Sequence, residues 1–163
     1  MKFLTSLSLA LFLPLLATAK DEEKVVPDKS LADVRWGEVV NEVDFNPDDA
    51  KGKVVVIEEW GVNCAPCIAS LPEVAKLARR KASKGLVVVG FEVQKGTKDQ
   101  IMPLLKKAKV KYPVMSGANA AVGTGGIPNV NIFNAEGKLV WVGNPHDREF
   151  EKAVNNAMKD AKS

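Results

Sequence analysis

Residues 54–67 read VVVIEEWGVNCAPC, in which a run of β-branched residues leads directly into two cysteines. The run from Val54 to Ile57 is typical of a central strand that is buried on both faces. Beyond the cysteines, apolar residues recur at helical spacing from Pro66 to about Lys84, where Gly85 indicates the end of a helix. The sequence therefore places Cys64 and Cys67 where a strand ends and a helix begins.

This position predicts the chemistry of the two cysteines. Unpaired N–H groups and the helix dipole favour negative charge at a helix N-terminus, so the thiolate of Cys64 is stabilised there. The thiolate is the form that attacks a disulfide, and a second cysteine three residues later can expel the bound partner. A bridge that closes so short a loop removes little entropy from the unfolded chain, which argues against a structural role. We therefore expect Cys64 to attack and Cys67 to resolve.

A metal site is the alternative use of a Cys-x-x-Cys pair. A closed tetrahedral zinc site needs two further Cys or His ligands. The chain has no other cysteine and one histidine, His146, which is expected as a solvated capping residue at the start of the last helix. No metal ligand is predicted, and a copper-binding or other metal-binding role of the Cys pair is kept as the competing function.

The remaining pattern alternates strands with helices, which predicts an α/β domain with a mixed sheet covered on both faces. A strand is predicted from Leu86 to Val93, and Thr97 with Gln100 has the form of a capping box before a second helix. One or two short strands precede this unit in 31–46, and another lies around 112–115. The last elements are an antiparallel hairpin of Asn129 to Phe133 and Lys138 to Val142, and a helix after Asn144-Pro145.

The N-terminus carries a predicted export signal. Residues 1–19 combine Lys2, an apolar run and an Ala17-Thr18-Ala19 cleavage site, which is the pattern of a signal peptide. The apolar run is shorter than the roughly 20 residues of a spanning helix, which argues against a retained membrane anchor. We expect a signal peptide over 1–19, a flexible arm over 20–30, a single domain over 31–163, and a periplasmic location.

Composition excludes several classes of function. The 163 residues are 46% hydrophobic, which suits one domain, and 23 basic against 20 acidic side chains give a net charge of +3 without a basic stripe for nucleic acid. The glycine-rich run 123–126 lacks the spacing of a phosphate-binding loop.

Three motifs in order carry a resemblance to a known family. Residues 60–67 (WGVNCAPC) resemble the active-site segment of the thioredoxin superfamily, Pro72 matches its proline five residues after the second cysteine, and 126–129 (GIPN) resembles its cis-proline loop. The segments 51–53 and 112–114, with the 134–137 turn, look most like the TlpA/ResA branch. The resemblance covers roughly residues 30–162. It implies a three-layer α/β/α thioredoxin-like fold, thiol–disulfide oxidoreductase activity on protein thiols and disulfides, and no cofactor besides the redox-active Cys64–Cys67 disulfide.

The resemblance also implies roles for individual residues. Pro128 would be cis, leaving the backbone of Ile127 to bind an extended partner chain, with Trp60 and Pro66 as supporting residues. Glu58 lies at the offset of the acid that relays a proton to the second cysteine. Glu59 is the alternative candidate for this acid. Successive strand residues point to opposite faces of the sheet, so only one of the two can face the second cysteine.

The sequence departs from the family pattern at positions that affect whether the protein reduces or oxidises its partner, and which partner it acts on. Asn63 and Ala65 replace a tryptophan and a glycine, and no lysine partner for Glu58 is evident in the strand after Gly85. The uncharged Ala-Pro dipeptide favours a reductant. Gly61 stands where a peroxiredoxin has threonine, which argues against peroxidase chemistry. A membrane electron donor or an apocytochrome c is considered as partner.

Overall fold

A computed structural model describes residues 25–161 of the chain. Its elements in chain order are β1 (Glu38–Val39), β2 (Val54–Trp60), α1 (Ala65–Lys81), β3 (Leu86–Glu92), α2 (Lys98–Ala108), β4 (Val114–Ser116), β5 (Asn129–Phe133), β6 (Leu139–Gly143) and α3 (Glu149–Asp160). Short 3₁₀ helices occupy Leu31–Asp33, Pro47–Ala50 and Ala82–Lys84.

Six strands form one mixed sheet in the order β1-β4-β3-β2-β5-β6. β2, β3 and β4 run parallel, whereas β5 and β6 form the predicted antiparallel hairpin, with β5 pairing to β2. Every residue of β2 is buried, as its β-branched run predicted. The predicted α/β fold with a mixed sheet is therefore confirmed, and β2 lies at its centre.

Each face of the sheet has its own apolar core, because the side chains of β2 alternate between the faces. The first core contains Val54, Val56 and Trp60 together with residues of α1, α2 and α3. The second contains Val55 and Ile57 and is covered by 3₁₀ helices and loops rather than by a long helix. The face that carries α1 is therefore the face toward which Trp60 and Glu58 point.

The N-terminal part of the structure is paired with the hairpin. The N–H of Leu139 donates to the carbonyl of Lys29 at 2.8 Å, and Ser30 forms a bridge with Lys138. Residues 25–28 of the predicted arm carry no helix or strand, and Val26 packs against the second core. The predicted signal peptide, 1–19, lies outside the described residues. Within residues 25–161, no helix is both long and apolar enough to cross a membrane.

Candidate active site

The two cysteines lie at the start of α1, joined by a disulfide. Cys64 is the N-cap residue, and its Sγ accepts a hydrogen bond from the N–H of Cys67 at 3.3 Å. This is a donor that the helix leaves unpaired and that also stabilises a thiolate. Cys64 is 8% exposed and Cys67 is 0% exposed. The difference agrees with the predicted order of attack, because a partner can reach only Cys64 without displacing the helix.

Hydrogen bonds to side chains at the end of β3 hold the loop that precedes Cys64. Glu92, which is 1% exposed, accepts hydrogen bonds from the N–H groups of Val62, Gln94 and Gly96. Gln94 Oε1 accepts the N–H of Asn63 at 2.8 Å. Sequence analysis did not identify these hydrogen bonds to Glu92 and Gln94, because a polar pair at the end of a strand does not indicate which loop it will contact.

The predicted cis-proline loop lies beside Cys64. The Ile127–Pro128 peptide bond is cis, and Cys64 Sγ is 3.7 Å from the carbonyl oxygen of Ile127. Pro128 is buried and Ile127 is partly exposed. A cleft of about 330 Å³ borders this loop and continues to Gly143 and the turn that follows β6. An extended chain lying in this cleft would pass the accessible cysteine.

Glu58 is fully buried, beneath the first turns of α1. Its Oε2 accepts a hydrogen bond from the hydroxyl of Tyr112 at 2.8 Å, and its Oε1 accepts one from Ser70 at 3.1 Å. The Ser70 hydroxyl also lies 2.8 Å from the carbonyl oxygen of Cys67, so it connects the acid to the cysteine's own backbone. No lysine takes part in these bonds. Tyr112 and Ser70 supply the polar partners that sequence analysis did not identify.

Burial raises the pKa of Glu58 from 4.5 to about 7, against the smaller lowering effects of the bonds from Tyr112 and Ser70 and of the charge of His146. Burial, with the charge of Glu58, also raises the pKa of Tyr112, so the tyrosine remains a donor. Glu58 can therefore take up or release a proton near neutral pH.

Glu59 lies on the opposite face and belongs to a different network. Its carboxylate accepts hydrogen bonds from Asn129 Nδ2 at 2.7 Å and from the N–H of Ala120 at 3.4 Å. Asn129 and Asn131 both donate to the carbonyl of Val122. Since Asn129 follows Pro128 directly, this buried cluster fixes the strand end that carries the cis-proline loop.

Trp60 and Pro66 occupy different environments. Trp60 is fully buried in the core cluster that contains both cysteines. Pro66 is exposed between the cysteines, and its carbonyl oxygen lies 3.1 Å from Nε2 of His146.

His146 is not in the position that the sequence predicted. Asn144-Pro145 was expected to begin the last helix, yet α3 starts at Glu149. Residues 144–147 form a turn instead, in which Asn144 Oδ1 accepts the N–H of His146 and Asp147 Oδ2 accepts the N–H of Asn144. The ring is exposed, as predicted, but it contacts the segment between the cysteines. Among residues 25–161, no group of three or more His, Cys, Asp or Glu side chains is placed to hold a metal ion.

Comparisons with known proteins agree with this geometry. The Redoxin family model matches residues 23–159. Thioredoxin-like protein YneN of Bacillus subtilis is 26% identical over 113 residues, which is 66% of each chain. Thiol-disulfide oxidoreductase ResA of the same organism is 30% identical over 98 residues, covering 58% of this chain and 54% of ResA. The chain thus spans between half and two thirds of the length of these two relatives.

Solved structures show the same fold at lower identity. A thiol:disulfide interchange protein of the thioredoxin family from Chlorobium tepidum TLS matches with a TM-score of 0.65 at 23% identity, over 86% of this chain and 99% of that one. A secreted Mycobacterium tuberculosis disulfide oxidoreductase homologous to E. coli DsbE matches with a TM-score of 0.61 at 16% identity, over 77% and 94% of the chains. With a cysteine pair capping α1 beside a cis-proline, and a family match over most of its length, this chain belongs to the Redoxin family of the thioredoxin superfamily.

Proposed function

We propose that this protein is a thiol–disulfide oxidoreductase that reduces protein disulfides outside the cytoplasm. The observation that carries the proposal is the position of Cys64. It caps α1, is linked to the fully buried Cys67, and lies 3.7 Å from the carbonyl of Ile127 in the cis-proline loop. The names of the relatives, among them ResA and the disulfide oxidoreductase from M. tuberculosis, support thiol–disulfide oxidoreductase activity, and the reducing direction and the location are part of the proposal.

The reaction transfers two electrons in two exchanges. The Cys64 thiolate attacks one sulfur of a partner disulfide, forms a mixed disulfide, and releases the other sulfur as a thiolate. Cys67 then loses its proton and attacks Cys64 Sγ, which closes the Cys64–Cys67 disulfide and releases the second partner thiolate. The partner gains two electrons and the protein loses two. A separate electron donor, for which a membrane protein is the proposed class, must return them.

One feature of the sequence favours reduction over oxidation of the partner. The Ala-Pro dipeptide places no charge or histidine between the cysteines in sequence, so nothing in it gives the reduced form the extra stability of a strong oxidant. We expect a reduction potential nearer the thioredoxin value of about −270 mV than the DsbA value of about −120 mV. An apocytochrome c, whose cysteines must be reduced before haem attachment, is one proposed class of client.

Reduction of a protein disulfide by the purified, reduced chain tests the proposal. Insulin is a suitable probe, and one Cys64–Cys67 disulfide should form for each insulin disulfide reduced. Cys64→Ser should abolish the reaction. Equilibration with glutathione measures the potential, and a value above about −180 mV would make the protein an oxidant or isomerase.

The competing metal role has its own measurement. Titration of the reduced protein with Cu(I) or Zn²⁺ should reveal only weak binding if exchange is the function. Tight stoichiometric binding together with inactivity toward insulin would replace the proposal by a metal-binding role.

A further inference from the structure

His146 contacts the active-site turn from a distant part of the chain. Its Nε2 lies 3.1 Å from the carbonyl oxygen of Pro66, which is 80 residues away in sequence. A carbonyl oxygen only accepts hydrogen bonds, so the Nε2 atom of His146 carries a proton in this contact. The neutral ring with its proton on Nε2 and the positively charged ring can both make this bond. The contact therefore survives a change of charge on the ring.

Hydrogen bonds within residues 144–147 hold the turn that carries His146. The N–H of His146 donates to Asn144 Oδ1 at 3.0 Å, and the N–H of Asn144 donates to Asp147 Oδ2 at 3.1 Å. The buried Pro145 precedes the histidine. The backbone of His146 is thus held beside the segment between the two cysteines, and the exposed ring reaches Pro66 from this turn.

The charge of His146 has a small effect on the buried acid of the site. It lowers the pKa of Glu58, the buried acid beneath the cysteines, although the ring itself is exposed. Because Pro66 lies between Cys64 and Cys67 in the sequence, a positive charge beside its carbonyl oxygen would also favour a thiolate at Cys64.

His146 also lines a second cleft, between α1 and the segment after β6, and the charged groups that border this cleft balance in sign. Among them, α1 contributes Glu73, Lys76 and Arg80, and the segment after β6 contributes Asp147, Arg148 and Glu151, with Arg80 and Glu151 paired at 2.8 Å. In this second cleft, His146 is the lining residue of the histidine type, the side chain whose charge ordinarily changes around neutral pH.

We infer that His146 is a positioning residue of the exchange site, which fixes the CAPC turn through Pro66 and, when protonated, favours the thiolate form of Cys64. This inference rests on the proposed function, since it assigns a role in the same exchange. Its consequence is a site in which the reduced state and the protonated histidine stabilise each other. By thermodynamic linkage, the ring must then hold its proton more tightly in the reduced protein than in the disulfide form.

The chain offers a direct test, because it contains a single histidine. NMR titration of the His146 ring in untagged protein compares the oxidised and reduced states without ambiguity of assignment. We expect the ring to titrate about 0.2 to 0.7 pH unit higher in the reduced protein, the range for an exposed charge pair. In Glu58→Gln, the His146 ring should still titrate higher in the reduced state than in the oxidised state. In Cys64→Ser, the ring should titrate as it does in the oxidised wild-type protein.

Variants at position 146 supply the reciprocal test. His146→Gln keeps a donor for Pro66 without the charge, and its Cys64 should be alkylated about two- to fivefold more slowly at pH 6. His146→Lys should restore the rate at pH 6. Arg148→Gln, which removes a permanent charge from the same segment, should leave the redox difference in the His146 titration in place.

Identical titrations of His146 in the two redox states would overturn the inference. So would a His146 ring that titrates in Cys64→Ser as it does in the reduced wild-type protein. Insulin reduction by the wild-type protein separates this failure from a failure of the proposed function, because an active enzyme with a redox-insensitive histidine contradicts only the role of His146.

Discussion

Glu58 and Glu59 are chemically identical neighbours with different environments. Strand alternation turns Glu58 toward α1, where it is bonded to Tyr112 and Ser70, and turns Glu59 toward Asn129 on the other face. Burial raises the pKa of Glu58 to about 7, because the side chains bonded to it are neutral hydroxyls. An acid in that range suits the proposed exchange, in which Cys67 must lose a proton before it can release a partner.

Partner release tests the proton transfer. Glu58→Gln keeps the shape of the side chain and removes the base, so release of a partner trapped on Cys64 should be slower near pH 7, by about a hundredfold or more. Glu59→Gln is the matched control, one residue away on the opposite face, and should release at the wild-type rate. Stopped-flow measurement of release against pH distinguishes them. Equal rates in all three proteins would assign the proton transfer to water.

The raised pKa of Glu58 also predicts a pH dependence of stability. Between pH 4.5 and about 7, the folded protein keeps a proton that the unfolded chain has lost. The stabilisation is therefore complete below pH 4.5 and is lost as the pH rises through 7, a fall of about 3 kcal/mol in the free energy of unfolding. Glu58→Gln should lack this fall. Urea unfolding of the oxidised proteins from pH 4 to 8 measures it, and parallel profiles for the two proteins would contradict the assignment.

At the level of elements, the site is the meeting point of three strand ends. The loop after β2 is held by Glu92 and Gln94 at the end of β3, and the start of β5 is held by Glu59 of β2 through Asn129. These polar side chains fix the relative positions of Cys64 and Pro128 before any partner binds. Preorganisation of this kind lowers the ordering cost of binding a partner chain.

Asn129 tests this coupling between elements. Asn129→Ala removes the closest donor to the buried Glu59 carboxylate and should cost about 2 to 3 kcal/mol of unfolding free energy. Asn131→Ala removes two bonds to the backbone of Val122 but leaves Glu59 bonded, so it should cost less, about 1 to 2 kcal/mol. Urea unfolding measures the two costs. An equal or smaller cost for Asn129→Ala would contradict the proposal that the bond from Asn129 to Glu59 holds the start of β5.

The elements differ in how far the sequence predicts them. β2, α1 and the β5–β6 hairpin follow from periodicity and turn residues, which are local properties. The start of α3 does not, because an Asn side chain that accepts the N–H two residues on is common to a helix cap and to an isolated turn. The contacts of His146 with Pro66 and of Tyr112 with Glu58 span 80 and 54 residues, and no local pattern records them.

For the whole molecule, the export signal remains a prediction. Its cleavage site, 17–19, predicts a mature chain that begins at Lys20. N-terminal sequencing of the protein from its host, after separation of soluble and membrane fractions, measures this. We expect Lys20 as the first residue in the soluble periplasmic fraction. An intact chain beginning at Met1 in the membrane fraction would identify residues 1–19 as an anchor.

Trapping of partners on Cys64 in the native host tests the proposed function most directly. In Cys67→Ser the second exchange cannot occur, so exported proteins should accumulate in mixed disulfides with Cys64 that a reductant releases. Cys64→Ser should accumulate none, since Cys67 is fully buried. Identification of the linked peptides by mass spectrometry names the clients. Absence of mixed disulfides in Cys67→Ser, or equal amounts in both variants, would contradict exchange through Cys64.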